Sequence, residues 1–156
     1  MIRAALRAFL AADAAAGPLV TGPDAQGDPV ARVYSRPPEA QPRSTAGSLP
    51  RVTMKLLSAH WPRALDGIAG DQYARLRLEC QAATSAAAVQ LARAVRNATG
   101  DGTTPLHSFK GAMGDLDMAA AWFEDQRSDD APPAHGGEQA IYTEVLELTV
   151  VYTEPS

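Results

Sequence analysis

The chain has 156 residues, of which 46% are apolar and 21% are charged, so it belongs with folded domains rather than disordered chains. Its 14 basic and 18 acidic residues give a net charge of −4, which argues against a nucleic-acid-binding protein that relies on a basic surface. Aromatic residues make up only 6%. We therefore expect a single domain over residues 1–156 with a modest core, stabilised in part by neighbouring subunits.

The N-terminal segment predicts an amphipathic helix from residue 2 to about residue 15. Its apolar stripe consists of Ile2, Leu6, Phe9 and Leu10. Arg7 interrupts the apolar run and Asp13 follows it, so we interpret the segment as part of the folded protein rather than a secretory signal. No apolar stretch approaches the roughly 20 residues of a membrane span, and we expect no membrane association.

Four segments are rich in proline, glycine and polar residues and are predicted to be long loops: residues 18–29, 35–50, 101–115 and 126–138. A short strand is predicted at residues 30–34. The loop at 35–50 has four prolines and few side chains that suit a core. Loops of this length are typically functional or become ordered on a partner, although a plain surface loop fits the composition equally well.

The middle of the chain predicts two paired strands. In residues 72–82 the apolar side chains alternate with polar ones, and the inward face consists of Ala74, Leu76, Leu78, Cys80 and Ala82. Residues 51–58 alternate in the same way, and the connection 59–70 is rich in turn residues, so the two strands are expected to form an antiparallel pair. Cys80 is the one cysteine, which excludes an internal disulfide and predicts a buried thiol.

A helix is predicted directly after this strand pair. Thr84 and Ser85 suit its N-cap, Val89, Ala92 and Val95 form its stripe, and Gly100 suits its end. Residues 118–125 and 140–153 predict a second antiparallel pair, with Trp122 expected in the core. The element order is α-β-β-β-α-β-β. It predicts an α+β fold in which two helices pack against a sheet of about four to five strands. The sheet is expected to be antiparallel, and a mixed sheet remains an alternative.

No pattern of catalytic, cofactor-binding or metal-binding residues stands out. The three histidines are isolated in loops, and no phosphate-binding glycine motif or nucleophile motif is present. The densest acidic group consists of Glu124, Asp125, Asp129, Asp130, His135 and Glu138. It lacks the spacing of a calcium loop, and a solvated hairpin tip is the favoured interpretation. The sequence therefore predicts no catalytic residue, no cofactor and no metal.

Several residues are instead candidates for protein contacts. Trp61, in its loop, and Trp122 are candidate interface anchors, although the core is the favoured place for Trp122. Arg75 and Arg77 are predicted to lie beside Arg51 and Lys55 on one sheet face. Four cations placed together in this way suit either a subunit-contact surface or the solvated side of an open sheet.

The order and character of these segments resemble the tail-completion or tail-terminator proteins of long-tailed bacteriophages and gene transfer agents. The resemblance rests on the N-terminal helix IRAALRAFLAAD, the strand opening LPRV at residues 49–52, and the strand–helix unit RLRLECQAATSAAAVQLARAVRNA at residues 75–98. It also rests on AWFEDQRSDD at residues 121–130 and the closing strand YTEVLELTVVYTE at residues 142–154. It covers nearly the whole chain, and the inserts at 18–29 and 101–115 depart from it.

The resemblance implies a non-enzymatic virion protein, made in the cytoplasm of a host bacterium, that assembles as a homo-oligomeric ring, typically a hexamer. Such a ring stops polymerisation of the tail tube protein and meets the neck or head–tail connector proteins. DNA passes through its centre without specific binding, which the acidic balance suits. The expected interface residues are Arg36, Pro37, Pro38, Arg43, Trp61, Arg75, Arg77, Asp129 and Asp130.

Two alternatives remain open at this point. A head–tail connector or stopper subunit would use the same loops at a different position in the particle. A small enzyme or ligand-binding α+β domain would need polar residues that converge on a pocket, and the sequence supplies no such set.

Overall fold

The computed structural model describes residues 2–23, 26–35, 49–64, 67–68, 70–129 and 140–155. Its helices are α1 (Ile2–Ala12), α2 (Ala16–Val20) and α3 (Ser85–Arg96), and a 3-10 turn spans Leu106–Ser108. The first strands are β1 (Thr21–Pro23), β2 (Pro29–Ala31), β3 (Val33–Tyr34), β4 (Arg51–His60), β5 (Arg63–Ala64) and β6 (Gly67–Ile68). The later strands are β7 (Gln72–Ala82), β8 (Gly111–Met113), β9 (Leu116–Ser128) and β10 (Tyr142–Thr153).

Six strands form one sheet in the spatial order β3-β4-β7-β10-β9-β8. β3 runs parallel to β4, and every other pair of neighbours is antiparallel, so the sheet is mixed. Strands β1 and β2 form a separate two-stranded sheet, as do β5 and β6. The α+β class and both predicted antiparallel pairs are confirmed. The main sheet has six strands rather than the predicted four to five, because β8, in the segment expected to be a loop, adds a short edge strand.

The core lies on one face of the main sheet. Leu76 pairs with Leu148 and Leu78 pairs with Leu146 across β7 and β10, and all four are fully buried. The helices cover this face with Leu6, Leu10, Val20, Leu91 and Val95. Each such side chain stabilises the fold by about 1.5–3 kcal/mol. Cys80 is buried among them, as predicted, and burial raises the pKa of its thiol, so it acts as a small apolar side chain.

Helix α3 begins where the sequence predicts it. The Thr84 hydroxyl accepts a hydrogen bond from the Ala87 N–H at 3.1 Å, which satisfies one of the free donors of the first turn. The buried stripe consists of Ala88, Leu91, Ala92 and Val95, so the inclusion of Val89 in it was wrong; Val89 is exposed. The helix ends at Arg96 with Asn97 as its C-cap, rather than at Gly100.

The carboxylate of Asp13 joins the N-terminal helices to the segment after α3. One oxygen, Oδ2, accepts from the N–H groups of Ala15 at 2.9 Å and Ala16 at 2.7 Å, while Oδ1 accepts from the Thr99 N–H at 2.7 Å. These bonds hold the turn between α1 and α2, so α1 stops at Ala12 rather than near residue 15. Residues far apart in sequence are thus fixed together by one buried acid.

Other predicted boundaries also change. The strand expected at 30–34 is divided into β2 and β3 at Arg32, whose guanidinium donates to the Leu49 carbonyl at 2.8 Å. The segment 18–29, expected to be a loop, contains the end of α2 and all of β1, and 101–115 contains the 3-10 turn and β8. β9 continues to Ser128, into the expected loop 126–138. β1 and β8 have three residues each, so they form through pairing with a neighbouring strand rather than from their own propensity.

Candidate interaction surface

The face of the main sheet opposite the core is called the open face. Among the described residues, the helices place their buried side chains against the core face, and no helix covers the open face. β7 presents Tyr73, Arg75, Arg77, Glu79 and Gln81 on the open face, as its alternation predicts. A one-sided sheet of this kind leaves a broad surface for contact with another molecule.

Charged side chains occupy the middle of the open face, and Glu147 of β10 lies at their centre. Its carboxylate is within 3.4 Å of Arg75 Nη2, 3.7 Å of Arg77 Nη2 and 3.4 Å of Arg127 Nη1. Arg75 also contacts Glu124 at 3.2 Å, and Arg127 contacts Asp125 at 2.8 Å. Glu147 is only 17% exposed, whereas its partners are more open to water. We call this group the Glu147 cluster.

Aromatic side chains lie at one end of the open face. Tyr73 is 47% exposed and Trp122 is 39% exposed. Val151 lies between Tyr73 and Ala120 in the cross-strand pairing. Large apolar groups beside charges are typical of surfaces that become buried on assembly.

The placement of Trp122 corrects the prediction that it lies in the core. Met118 pairs with Tyr152 and Ala120 pairs with Val151, so Ala119 is an extra residue at a β-bulge. The bulge reverses the alternation in β9, which turns Ala121 and Phe123 toward the core and Trp122 toward the open face.

The predicted cations are brought together on this face, and two of them, Arg75 and Arg77, are paired with acids. Lys55 lies opposite Arg77 in the register of β4 and β7, and Arg75 and Arg77 belong to the Glu147 cluster. Arg51 is buried and its Nε donates to Gln81 Oε1 at 2.6 Å. The open face therefore combines both signs of charge rather than forming a basic patch.

The other predicted interface residues are dispersed. Trp61 is 47% exposed directly after β4. Asp129 is exposed, and its N–H donates to the Thr143 carbonyl at 2.8 Å. Arg36, Pro37, Pro38, Arg43 and Asp130 lie outside the described residues, as do His135 and Glu138 of the acidic group.

The acidic residues of the Glu147 cluster were not predicted to be interface residues, and Trp122 was a candidate anchor for which the core was favoured. Glu147 lies on the open face of β10, and its three arginine partners come from two neighbouring strands. Only the register of β7, β10 and β9 brings them together, and two bulges in β9 change that register.

The described residues form a groove of about 310 Å³. It lies between α1 and the segment after α3 and is lined by Ala5, Ala8, Phe9, Ala12, Thr99, Asp101, Gly102, Phe109, Ala112, Met113 and Gly114. Its walls are mainly small apolar side chains. Among the described residues no group of three or more His, Cys, Asp and Glu side chains could hold a metal ion, and no helix is long and apolar enough to cross a membrane.

We expect Glu147→Gln to lower the free energy of unfolding by about 1–2 kcal/mol, because it removes the negative charge shared by three arginines. Glu124→Gln is the matched control: Glu124 is more exposed and contacts Arg75 alone in the cluster, so about 0.5 kcal/mol or less is expected. Urea unfolding at low salt and in about 1 M NaCl provides the measurement, since screening should reduce the Glu147 effect. An effect of Glu147→Gln that is no larger than the control, or is independent of salt, contradicts this account.

The sequence matches no protein-family model and no curated protein. The structure is similar to a solved chain in the virion of a native gene transfer agent particle, with a TM-score of 0.55 and 18% sequence identity. The match covers 97% of this chain and 95% of that chain. The two chains therefore share one α+β fold over almost their whole lengths.

Proposed function

We propose that this chain is a structural protein of a phage-like virion rather than an enzyme. The observation that carries the proposal is the likeness over 97% of this chain and 95% of a gene transfer agent virion chain. The open face, with its exposed aromatic end, supports the proposal because a virion subunit needs surface for assembly.

We further propose the position that the sequence resemblance implies. The chain forms a homo-oligomeric ring, with six subunits as the starting hypothesis, at the head-proximal end of the tail. There it ends polymerisation of the tail tube and meets the neck proteins. The net charge of −4 and the paired arginines of the open face suit a ring through which DNA passes without being held.

The test is electron microscopy of particles produced with and without the gene, with restoration of the gene as the control. Tails of uncontrolled length in its absence are the result expected of a terminator. Tails of normal length that fail to join filled heads would instead favour a head–tail connector or stopper. Normal particles in the absence of the gene would overturn both positions and redirect attention to the groove beside α1 as a ligand site.

A further inference from the structure

The main sheet has two strand edges that are only partly paired within the described chain. β8 pairs with β9 at Leu116, Asp117 and Met118, which leaves the outer edge of β9 open from residue 119 to residue 128. β3 pairs with β4 at Val52 and Thr53, which leaves the outer edge of β4 open from residue 54 to residue 60. Open edges present rows of backbone donors and acceptors that can pair with another strand.

The two open edges lie at the same level of the sheet. One row of cross-strand neighbours consists of His60, Tyr73, Val151 and Ala120. A second row, at the other limit, consists of Met54, Leu78, Leu146 and Gln126. Residues 54–60 and 120–126 therefore span the same rows and have the same length. β3 and β8 cover opposite ends of the sheet, so neither strand blocks a second copy placed beside it at this level.

Strand direction also matches. β4 is antiparallel to β7, β7 to β10 and β10 to β9, so β4 and β9 run in opposite directions. When a second copy is placed beside the first in the same orientation, its β4 runs antiparallel to β9 of the first copy. The antiparallel hydrogen-bond pattern of the sheet then continues across the boundary.

The side chains on the two edges are complementary. When the rows of the two copies are aligned, Asp125 lies opposite Lys55 of the next copy, and both are on the open face. Opposite charges in a cross-strand pair are favourable. On the core face, the same arrangement brings Phe123 near Leu56, and both are only partly buried in the single chain. Each edge also has one extra residue at a bulge, Glu124 in β9 and Leu57 in β4. The two open segments therefore have the same number of residues between the same two rows.

We propose that residues 120–126 of one copy pair in antiparallel fashion with residues 54–60 of the next copy, so that the sheet continues from subunit to subunit. The contact is head-to-tail, because it joins two different surfaces, and repetition with a closing rotation produces a ring. This inference rests on the proposed ring and names the surfaces that form it.

Exchange of the charges on the two edges tests the pairing. Asp125→Lys and Lys55→Asp should each reduce self-association by about tenfold or more, measured by sedimentation, because each places like charges opposite one another. A mixture of the two variants should assemble, since each boundary then again joins opposite charges. Asp117→Lys is the matched control: it makes the same change in the part of β9 covered by β8 and should leave association unchanged. Thermal unfolding shows that each variant is folded.

Cross-linking keeps the proposal testable if the chain assembles only on a tail. His60→Cys and Ala120→Cys are combined in one chain, and the preparation is oxidised both as purified protein and as assembled particles. The buried native Cys80 does not compete. A ladder of covalent multimers that needs both cysteines is expected. The pairing is overturned if two results are obtained: the mixture of the Asp125→Lys and Lys55→Asp variants fails to assemble, and neither preparation gives a ladder. Normal particles without the gene, by contrast, overturn the virion role and not the pairing.

Discussion

Replacing Asp13 by alanine is expected to lower the free energy of unfolding by about 3–4 kcal/mol, because the N–H groups of Ala15, Ala16 and Thr99 all lose their acceptor. Asp13 is 5% exposed, so water replaces that acceptor only in part. Asp13→Asn should lower the free energy of unfolding by somewhat less, because the amide oxygen can still accept a hydrogen bond. The effect is not removed, because the NH₂ group of asparagine then faces backbone donors. Urea unfolding near pH 7 measures both effects.

The Asp13 effect should also depend on pH. Burial on its own would raise the pKa of this carboxyl, but the N–H groups of Ala16, Thr99, Ala15 and Gly100 together hold it below the ordinary value of 3.8. Because the pKa is lower in the folded state than in the unfolded state, the carboxylate stabilises the fold above the unfolded pKa. That stabilisation is lost as the pH falls through the folded pKa.

The difference in unfolding free energy between the wild type and Asp13→Asn should therefore shrink as the pH is lowered below about 4. Asp117→Asn is the control, because Asp117 is exposed on a strand, and its effect should stay within about 0.5 kcal/mol. A constant difference across the acid range would show that the charge of Asp13 is not the stabilising factor.

Gly100→Ala is expected to lower the free energy of unfolding by about 2–5 kcal/mol for two separate reasons. Gly100 has a φ of 60°, a left-handed conformation in which alanine costs about 1–2 kcal/mol. An added Cβ would also lie 2.7 Å from Cδ2 of Phe9, whose ring packs edge-on against Phe109 at a centroid distance of 5.0 Å. Displacement of that ring adds about 1–3 kcal/mol. Thermal unfolding measures the sum.

Gly70→Ala separates the two contributions to the Gly100 effect. Gly70 has a φ of 77°, but a Cβ added there meets nothing within 4 Å, so only the conformational cost of about 1–2 kcal/mol is expected. Gly100→Ala combined with Phe9→Leu should then show a smaller cost of the alanine than in the wild type. Equal costs at Gly100 and Gly70 would mean that the Phe9 ring moves aside freely.

The elements that the sequence predicts well are those with a long periodic pattern. β7 alternates over its whole length, and its inward residues Leu76 and Leu78 are fully buried as predicted. The N-cap of α3 is also correct, because Thr84 acts within its own turn. Local chemistry decides these features, so the sequence alone is sufficient for them.

The features that were missed depend on contacts across the chain. β8 has three residues and exists because it pairs with the start of β9, and Trp122 faces outward because of a bulge opposite β10. The Glu147 cluster needs the register of three strands. Single-strand periodicity contains no information on bulges or on partners, and these decide the character of the open face.

The position of β10 also governs how the chain can fold. It lies inside the sheet between β7 and β9, although it follows both of them in sequence, and it pairs Tyr152 with Gln72. Until β10 has been synthesised, β7 has no neighbour on that side and the two halves of the sheet remain separate. Folding therefore does not proceed element by element from the N-terminus, and such long-range pairing makes it slow. A nascent chain in this condition exposes unpaired strand edges, which are prone to aggregation.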